Sequence, residues 1–177
     1  LAHSRLGQTI ASRALSVGFT HCRARTVITL DADLQNDPAD IPRLLQKLDE
    51  GYDLVCGWRK ARKDSFWGKR LPSKLSNWLA RKLSGLQIHD FGCTLRAYRL
   101  AVIRDISLYG ELHRFLPALA AWKGFTVAEI PANHRARRHG SSRYGVTRIM
   151  RGALDLTSVY LLDRYMSRPL HLFGVFG

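Results

Sequence analysis

The segment 26–57 carries the pattern strand, helix, strand within about 30 residues, which is the length of one βαβ unit. Residues 26–30, Thr-Val-Ile-Thr-Leu, are β-branched and apolar and predict a buried strand. Apolar residues then recur at helical spacing over 41–48, and residues 53–57 predict the next strand. The chain is therefore predicted to be an α/β protein with a mostly parallel central sheet, flanked by helices and joined by a right-handed crossover.

The remaining predicted elements extend this pattern over the whole chain. Helices are predicted over 4–18, 73–84, 99–106, 112–123 and 147–165, and strands over 93–98 and 125–130. A length of 177 residues suits one domain. We assign 1–146 to the α/β domain and 147–177 to a C-terminal amphipathic helix with a following membrane-proximal segment. The arginine start and apolar body of that helix suit a membrane headgroup layer as well as a protein core.

The net charge of +14 arises from 28 Lys and Arg against 14 Asp and Glu. Residues 58–82 hold nine basic residues and one acid, and residues 134–151 hold six arginines and no acid, so these two segments account for the whole excess. Such local basicity indicates an anionic partner: nucleic acid, an acidic membrane surface or a phosphorylated substrate. The three cysteines are widely spaced, which disfavours a disulfide scaffold or zinc ribbon and favours a reducing compartment.

Two carboxylates follow the first predicted strand, within Leu-Asp-Ala-Asp-Leu-Gln at 30–35. Asp31 and Asp33 lie two positions apart and are expected to project to the same side at the carboxyl edge of the sheet, where open α/β sheets bind ligands. Mg²⁺ takes one or two protein carboxylates and completes its shell with water and phosphate. The pair therefore predicts a Mg²⁺ or Mn²⁺ site. The alternative is a solvated turn with helix-capping aspartates, a role that Asp37 before Pro38 suggests.

A divalent ion facing two arginine-rich segments is typical of a site that handles phosphate groups. The sequence has no Walker loop, which excludes a P-loop nucleotidase. A nucleic-acid-binding module would leave Asp31 and Asp33 repelling backbone phosphate, so no nucleic-acid partner is expected.

Spaced motifs along nearly the whole chain resemble, in order, the family-two glycosyltransferases of the polyprenyl-phosphate (dolichyl-phosphate mannose synthase-like) branch. The motifs are Asp31-Ala32-Asp33-Leu34-Gln35, Ile41-Pro42, Gly57-x-Arg59, Arg70-x-x-Ser73-x-x-x-Asn77, Asp90-x-Gly92-Cys93-x-x-Arg96-Ala97, Tyr109-Gly110-Glu111-x-His113-Arg114-Phe115-x-Pro117, His134-x-x-Arg137-x-x-Gly140-x-Ser142-Arg143-Tyr144 and Arg168-Pro169-x-x-x-Phe173-Gly174. The family's usual Gly-x-Ser-Lys-Tyr carries Arg143 in place of lysine here, which keeps the charge.

The resemblance implies a GT-A fold whose first strand or strands precede residue 1, so we expect the chain to be an N-terminally truncated part of a longer protein. It implies an inverting, metal-assisted transferase at the cytoplasmic face of a membrane. The sugar would move from a nucleoside-diphosphate sugar, GDP-mannose or UDP-hexose, to a polyprenyl or dolichyl phosphate. The residues support such an acceptor, because a phosphate oxygen is already anionic and can attack without a strong general base.

The resemblance also implies roles for individual residues. The metal would be bound by Asp31, Asp33 and Gln35, and the catalytic residues would be Asp33 and Asp90. The donor sugar would be bound by Asp31, Glu111, His113 and Arg114. The acceptor phosphate would be bound by Arg59, Arg70, Ser73, Arg137, Ser142 and Arg143. We expect Asp90 to orient or stabilise the sugar more than to remove a proton.

Two alternatives remain at this stage: a transferase of the same fold with a saccharide acceptor, and an inactive, truncated membrane-binding module. The identity of the sugar and the oligomeric state do not follow from the sequence. Among the tryptophans, Trp78 and Trp122 are predicted to lie in the core and Trp67 at the membrane interface.

Overall fold

The computed structural model describes residues 10–60, 71–106 and 112–135, together with positions 154, 156–158 and 160. In chain order the elements are α1 (Ile10–His21), β1 (Thr26–Thr29), a 3₁₀ turn (Pro38–Asp40), α2 (Ile41–Asp49), β2 (Leu54–Trp58), α3 (Leu71–Ser84), β3 (Arg96–Arg99), α4 (Leu100–Asp105), a second 3₁₀ turn (Leu112–Phe115), α5 (Leu116–Trp122) and β4 (Val127–Pro131). The five positions between 154 and 160 are helical, and the rest of the helix predicted over 147–165 lies outside the described residues.

The described strands form one mixed sheet in the order β1-β3-β2-β4. β3 is antiparallel to both of its neighbours, whereas β2 and β4 are parallel. The prediction of a mostly parallel sheet is therefore wrong. β1 and β2 do run in the same direction, but β3 lies between them. The sequence of β3 did not reveal this, because the direction of a strand depends on the path of the chain and not on the composition of the strand.

An apolar layer packs on each face of the sheet, because alternate residues of a strand point to opposite faces. Leu54 and Cys56 of β2 join the cluster that includes buried residues of α1, α3, α4 and α5. Val55 joins the second cluster, in which Leu44 and Leu48 of α2 cover the other face. The result is three layers, with the sheet between α2 and the remaining helices.

The ends of the helices follow the sequence signals closely. Gly85 directly follows α3, and Gly51 follows α2 after Glu50; their left-handed φ angles of +72° and +107° are those with which glycine commonly ends a helix. The helix predicted over 112–123 begins instead as a 3₁₀ turn and becomes α-helical at Leu116. Within the described ranges, no helix is both long enough and apolar enough to cross a bilayer.

Trp78 is 50% exposed, so its predicted place in the core is wrong. It lies two positions before the buried Ala80 on α3, and residues two apart do not share a helix face. The ammonium of Lys82 lies 5.3 Å from the centre of the Trp78 ring. Trp122 is partly buried against the core and donates its indole N–H to the carbonyl oxygen of Leu83 at 3.2 Å.

Candidate active site

Three strands that run in the same direction, β1, β2 and β4, end at one edge of the sheet, and the antiparallel β3 begins there. Asp31 and Asp33 follow β1, Arg59 follows β2, and Asp90 precedes β3. The arginine-rich segment 134–151 begins after β4. The fold therefore gathers residues that are far apart in the sequence at the edge where open α/β sheets bind ligands.

Residues 31–36 form the carboxylate turn. The Asp33 carboxylate accepts a hydrogen bond from the N–H of Gln35 at 3.2 Å, and Asp31 lies exposed at the surface. Leu34 has a φ of +62°, a strained conformation for a residue with a large side chain, and is 63% exposed. The far end of the turn is fixed by the buried Asn36, which donates to Oγ1 of Thr94 at 3.1 Å.

The chain after β4 is hydrogen-bonded to the chain after β1. The N–H of Arg135 donates to the carbonyl oxygen of Gln35 at 2.8 Å, and Asn36 forms an antiparallel bridge with His134. β1 and β4 lie at opposite sides of the described sheet, about 14 Å apart at normal strand spacing. The chain after β4 and the chain after β1 therefore meet across the ends of β2 and β3, and the start of 134–151 lies beside the carboxylate turn.

Asp37 adds an ion pair to this junction. Its carboxylate accepts a hydrogen bond from the N–H of Ala39 at 3.2 Å and contacts the guanidinium of Arg135. These two partners lower the pKa of Asp37, with the Ala39 hydrogen bond the larger cause. The capping role predicted for Asp37 is confirmed, since it is the N-cap of the 3₁₀ turn Pro38–Asp40.

Asp40 lies beneath the same junction and is 1% exposed. Its Oδ2 accepts the backbone N–H of Asn133 at 2.6 Å, and its Oδ1 accepts the side-chain amide of Asn133 at 3.1 Å. Nη1 of Arg43 lies 3.0 Å from Oδ1. Asp40 occupies the N-cap position of α2 but makes no capping hydrogen bond to the backbone N–H groups of that helix. The buried carboxylate is satisfied by the side chain of Arg43 and by a residue 93 positions away.

Arg59 and Asp90 form an ion pair with two hydrogen bonds. The guanidinium Nε lies 2.6 Å from Oδ2 and Nη2 lies 2.9 Å from Oδ1. The side chains are 16% and 5% exposed, respectively. The N–H of Gly92 also donates to Oδ1, and a Cβ at Gly92 would lie 3.1 Å from Nη2 of Arg59. The close approach of this pair therefore favours glycine at position 92.

Glu129 on β4 fixes the backbone that carries Asp90. Its Oε1 accepts the N–H of Asp90 at 3.0 Å, and its Oε2 accepts the N–H of His89 at 3.0 Å and contacts Nδ1 of the same histidine at 2.8 Å. The His89 ring stacks on Trp58, with ring centres 4.2 Å apart. The Glu129 side chain is 8% exposed, so its hydrogen bonds to the backbone of residues 89 and 90 are shielded from water.

Arg96 links the same region to the second 3₁₀ turn. Its buried guanidinium donates to the carbonyl oxygens of His113 and Arg114, both at 2.9 Å, and to that of Phe91. Two residues predicted to bind the sugar are therefore held by their backbone against the loop that carries Asp90. His113 is 6% exposed, whereas Arg114 is partly exposed.

Several predicted site residues lie outside the described part of the chain. They are Arg70, Glu111, Arg137, Ser142 and Arg143. Ser73 lies on α3, with its side chain also outside the described part.

The family model described as Glycosyl transferase family 2 matches residues 5–107, which is more than half of the chain. The chain belongs to glycosyl transferase family 2. The match begins before β1 and extends beyond α4, so it covers the carboxylate turn, Arg59 and Asp90.

Curated members with high similarity are named for sugar transfer involving polyprenyl phosphates. The chain is 43% identical over 174 residues to dodecaprenyl-phosphate galacturonate synthase of Rhizobium johnstonii, covering 97% of this chain and 51% of that protein. It is 40% identical over 164 residues to undecaprenyl-phosphate 4-deoxy-4-formamido-L-arabinose transferase of Edwardsiella ictaluri, covering 93% of this chain and 49% of that protein. The chain thus spans about half the length of these relatives.

The fold is GT-A-like. Glucosyl-3-phosphoglycerate synthase of Mycobacterium tuberculosis, crystallised with Mn²⁺, uridine-diphosphate-glucose and phosphoglyceric acid, superposes with a TM-score of 0.60. The alignment covers 90% of this chain and 55% of that protein at 16% identity, a level that establishes the fold alone. The expected GT-A fold is therefore confirmed, with the mixed sheet described above.

The carboxylate turn suits the divalent cation that the family resemblance implies. Asp31, Asp33 and Gln35 offer only oxygen as metal ligands, the type that Mg²⁺ and Mn²⁺ prefer. Within the described ranges, no cluster of three or more His, Cys, Asp or Glu residues is arranged to hold a metal. A pair of carboxylates is nevertheless sufficient for Mg²⁺, which takes most of its remaining ligands from water and substrate phosphates.

Two residues near the site, Asp40 and Glu129, were not among those that the sequence predicted. Asp40 stands directly before a predicted helix, where an aspartate is usually a cap. Glu129 is the single acid in the apolar run 125–130, and an acid inside a buried strand is a signal that could have identified it. The partners of both residues are distant in sequence, so neither contact follows from local spacing.

Proposed function

We propose that this chain is the catalytic part of an inverting glycosyltransferase that moves a sugar from a nucleoside-diphosphate sugar to a polyprenyl phosphate. The observation that carries the proposal is the junction between the carboxylate turn and the start of segment 134–151, made by Gln35, Asn36, His134 and Arg135. The carboxylates of the turn suit a metal ion bound to a diphosphate, and the arginines of the segment suit a second phosphate. The junction joins the turn to the beginning of that segment.

The chemistry requires these two groups to be close. An oxygen of the acceptor phosphate attacks the anomeric carbon of the sugar, the new carbon–oxygen bond forms, and the bond to the diphosphate oxygen breaks. A single displacement of this kind inverts the anomeric carbon. A divalent cation bound by Asp31 and Asp33, with Gln35, would neutralise charge on the diphosphate. The arginines would position the acceptor and reduce the repulsion between the two anions.

Asp90 serves in this proposal as an orienting residue. Both of its carboxylate oxygens contact Arg59, and the carboxylate is nearly inaccessible to solvent. The phosphate nucleophile is already deprotonated, so the reaction does not need Asp90 as a base. We therefore assign Arg59 and Asp90 jointly to the floor of the site, where the guanidinium of Arg59 would contribute to binding the acceptor phosphate.

The relatives guide the choice of substrates. Their names specify dodecaprenyl and undecaprenyl phosphate, which favours a polyprenyl acceptor of that kind over dolichyl phosphate. The UDP-glucose and Mn²⁺ of the mycobacterial enzyme support UDP-hexose beside GDP-mannose as candidate donors, and Mn²⁺ beside Mg²⁺ as candidate metals. An acceptor of this type is a lipid, so we place the chain at the cytoplasmic face of a membrane. The exposed Trp78 beside Lys82 suits contact with headgroups.

The test uses membranes of cells that express the protein, radiolabelled GDP- and UDP-sugars, and undecaprenyl or dolichyl phosphate. We expect label to enter the lipid phase from one donor and EDTA to prevent the transfer. Label that enters a water-soluble saccharide instead would favour the alternative with a saccharide acceptor. Absence of transfer from every donor, with the protein folded, would refute the proposal and favour an inactive membrane-binding module.

A further inference from the structure

We propose that Asp40 is a positioning residue that sets how tightly the site binds the acceptor phosphate. Its buried carboxylate would fix Asn133 and, through it, the start of the arginine-rich segment 134–151. This inference rests on the proposed function, because it assigns a role within the binding of that acceptor.

The Asp40 carboxylate accepts one hydrogen bond from Arg43 on α2 and two from a residue far outside that helix. The carboxylate is 1% exposed and accepts two hydrogen bonds from Asn133, one from the backbone and one from the side chain. Asn133 itself is exposed, so its amide would be hydrated without Asp40. Burying a carboxylate is unfavourable unless its oxygens are paired. The arrangement therefore uses a buried charge to hold an exposed segment in one place.

Asn133 stands directly before the junction with the carboxylate turn. The next two residues, His134 and Arg135, make the bridge to Asn36 and the hydrogen bond to Gln35. The side chain of Arg135 is 56% exposed, so its ion pair with Asp37 holds the chain less firmly than the buried carboxylate of Asp40 does. Asp40 is thus a buried anchor for residues 133–135.

The distance between the arginines and the carboxylate turn controls the attraction for a second phosphate. Coulomb energies fall with distance, and hydrogen bonds to phosphate need close contact. Residues 133–135 released from Asp40 would lose their fixed position, so the arginines that follow in the sequence would no longer start from a fixed point beside the carboxylate turn. We therefore expect a weaker affinity for the acceptor, with little change in binding of the donor.

A structural role limited to α2 predicts something different. Loss of Asp40 would then lower stability, and any loss of activity would affect donor and acceptor alike. Asp40 makes no side-chain cap bond to α2, and its contact on that helix is Arg43, whose side chain is 51% exposed. Arg43→Gln is therefore the matched control, because it removes the contact within α2 and leaves both hydrogen bonds to Asn133.

The experiment compares Asp40→Asn, Asn133→Asp and the double variant Asp40→Asn/Asn133→Asp with the unaltered protein. The first change presents an amide N–H to one of the two donors of Asn133, and the second places a carboxylate against Asp40. In the double variant, the new amide oxygen can accept the backbone N–H of position 133, while the new amide N–H donates to the new carboxylate. Asp and Asn are nearly equal in size. Loss of acceptor affinity in the single variants and its recovery in the double variant therefore test the contact between positions 40 and 133.

We expect each single variant to raise the KM for polyprenyl phosphate about tenfold, the effect of losing one buried hydrogen bond. In these single variants the KM for the donor should stay within about twofold of that of the unaltered protein, and in Arg43→Gln both KM values should do so. In the double variant the KM for polyprenyl phosphate should return to within about threefold of that of the unaltered protein. Equal changes in both KM values, no change, or failure of the double variant to recover would overturn the inference.

Hydrogen exchange at the amide of Asn133 provides a readout that does not depend on activity. We expect faster exchange in Asp40→Asn, slow exchange in Arg43→Gln, and restored protection in the double variant. If the unaltered protein transfers no sugar, the proposed function fails, and the exchange data still report whether Asp40 holds the segment. Unchanged exchange in both Asp40→Asn and Asn133→Asp would refute the positioning role whatever the activity.

Discussion

The guanidinium of Arg59 lies against the carboxylate of Asp90, with Nε 2.6 Å from Oδ2 and Nη2 2.9 Å from Oδ1. The resemblance to the family implied separate roles for these residues, one at the acceptor phosphate and one at the sugar. Their contact means that a change at either residue alters the charge and position of the other. Substitutions at Arg59 and Asp90 should therefore be analysed as a pair.

The first prediction concerns the stability of this pair. Arg59→Ala and Asp90→Ala should each lower the free energy of unfolding by about 3 kcal/mol, because each leaves the other charge poorly solvated. The double variant should lose less free energy of unfolding than the two single variants together. Urea denaturation should give a coupling energy of about 1–3 kcal/mol for the pair. The exposed pair Lys123 and Asp105, 3.5 Å apart, is the control and should couple by at most about 0.5 kcal/mol. Additive losses at Arg59 and Asp90 would contradict the paired arrangement.

The second prediction concerns the carboxylate turn. Asp33→Asn should lower metal-dependent kcat by at least about 100-fold, because it removes a negative ligand while keeping the shape of the side chain. Asp49→Asn, at an exposed position at the end of α2, is the control and should keep normal turnover. The circular dichroism of both variants should match that of the unaltered protein. Normal turnover of Asp33→Asn would refute the metal site.

The third prediction separates the two ligands. Arg137→Ala should raise the KM for polyprenyl phosphate about tenfold, while the KM for the donor changes by less than about twofold. Salt should reduce the difference, because it screens the attraction of arginine for phosphate. Arg104→Ala removes an exposed arginine at the end of α4 and should leave both values unchanged. Equal effects of Arg137→Ala on the two ligands would contradict the division of the site.

The fourth prediction compares two glycines. A Cβ at Gly57 would lie 3.1 Å from the Cβ of Ala132 and from the carbonyl oxygen of Leu95, so Gly57→Ala should destabilise the fold by about 1–3 kcal/mol. At Gly18, inside α1, nothing lies within 4 Å of the added atom, and Gly18→Ala should stabilise by about 0.5–1 kcal/mol. Urea denaturation measures both changes. Equal effects would show that space at Gly57 is not limiting.

The fifth prediction concerns alkaline pH. Burial raises the pKa of the Cys56 thiol from 9.0 to about 12, and it also raises the pKa of Cys93 and of Tyr98. Between pH 9 and 12 the unfolded chain has lost the Cys56 proton that the folded chain keeps, so stability falls as pH rises. Each such group contributes about 1.4 kcal/mol per pH unit in its own window. Cys56→Ala should make the measured slope shallower, and an identical slope would contradict the prediction.

Local patterns in the sequence located most of the elements that build the site. The helix α2 and the strands β1 and β2 lie within a residue or two of their predicted limits, because their apolar periodicity extends over only a few neighbouring residues. The direction of β3 could not be predicted in this way, since it depends on pairing with β1 and β2 from other parts of the chain. The exposure of Trp78 shows the same limit, because an apolar residue on a helix does not reveal which face packs on the sheet.

The sequence by itself determined the family, the α/β composition and the position of the carboxylate pair directly after a strand, since these depend on residues close together in the chain. The tertiary structure alone decided that Arg59 pairs with Asp90, 31 residues away, and that Asp40 holds Asn133, 93 residues away. The physical reason is that such contacts arise only after the strands have assembled and brought their ends to one edge. A buried charge then takes whichever partner the assembled fold places beside it.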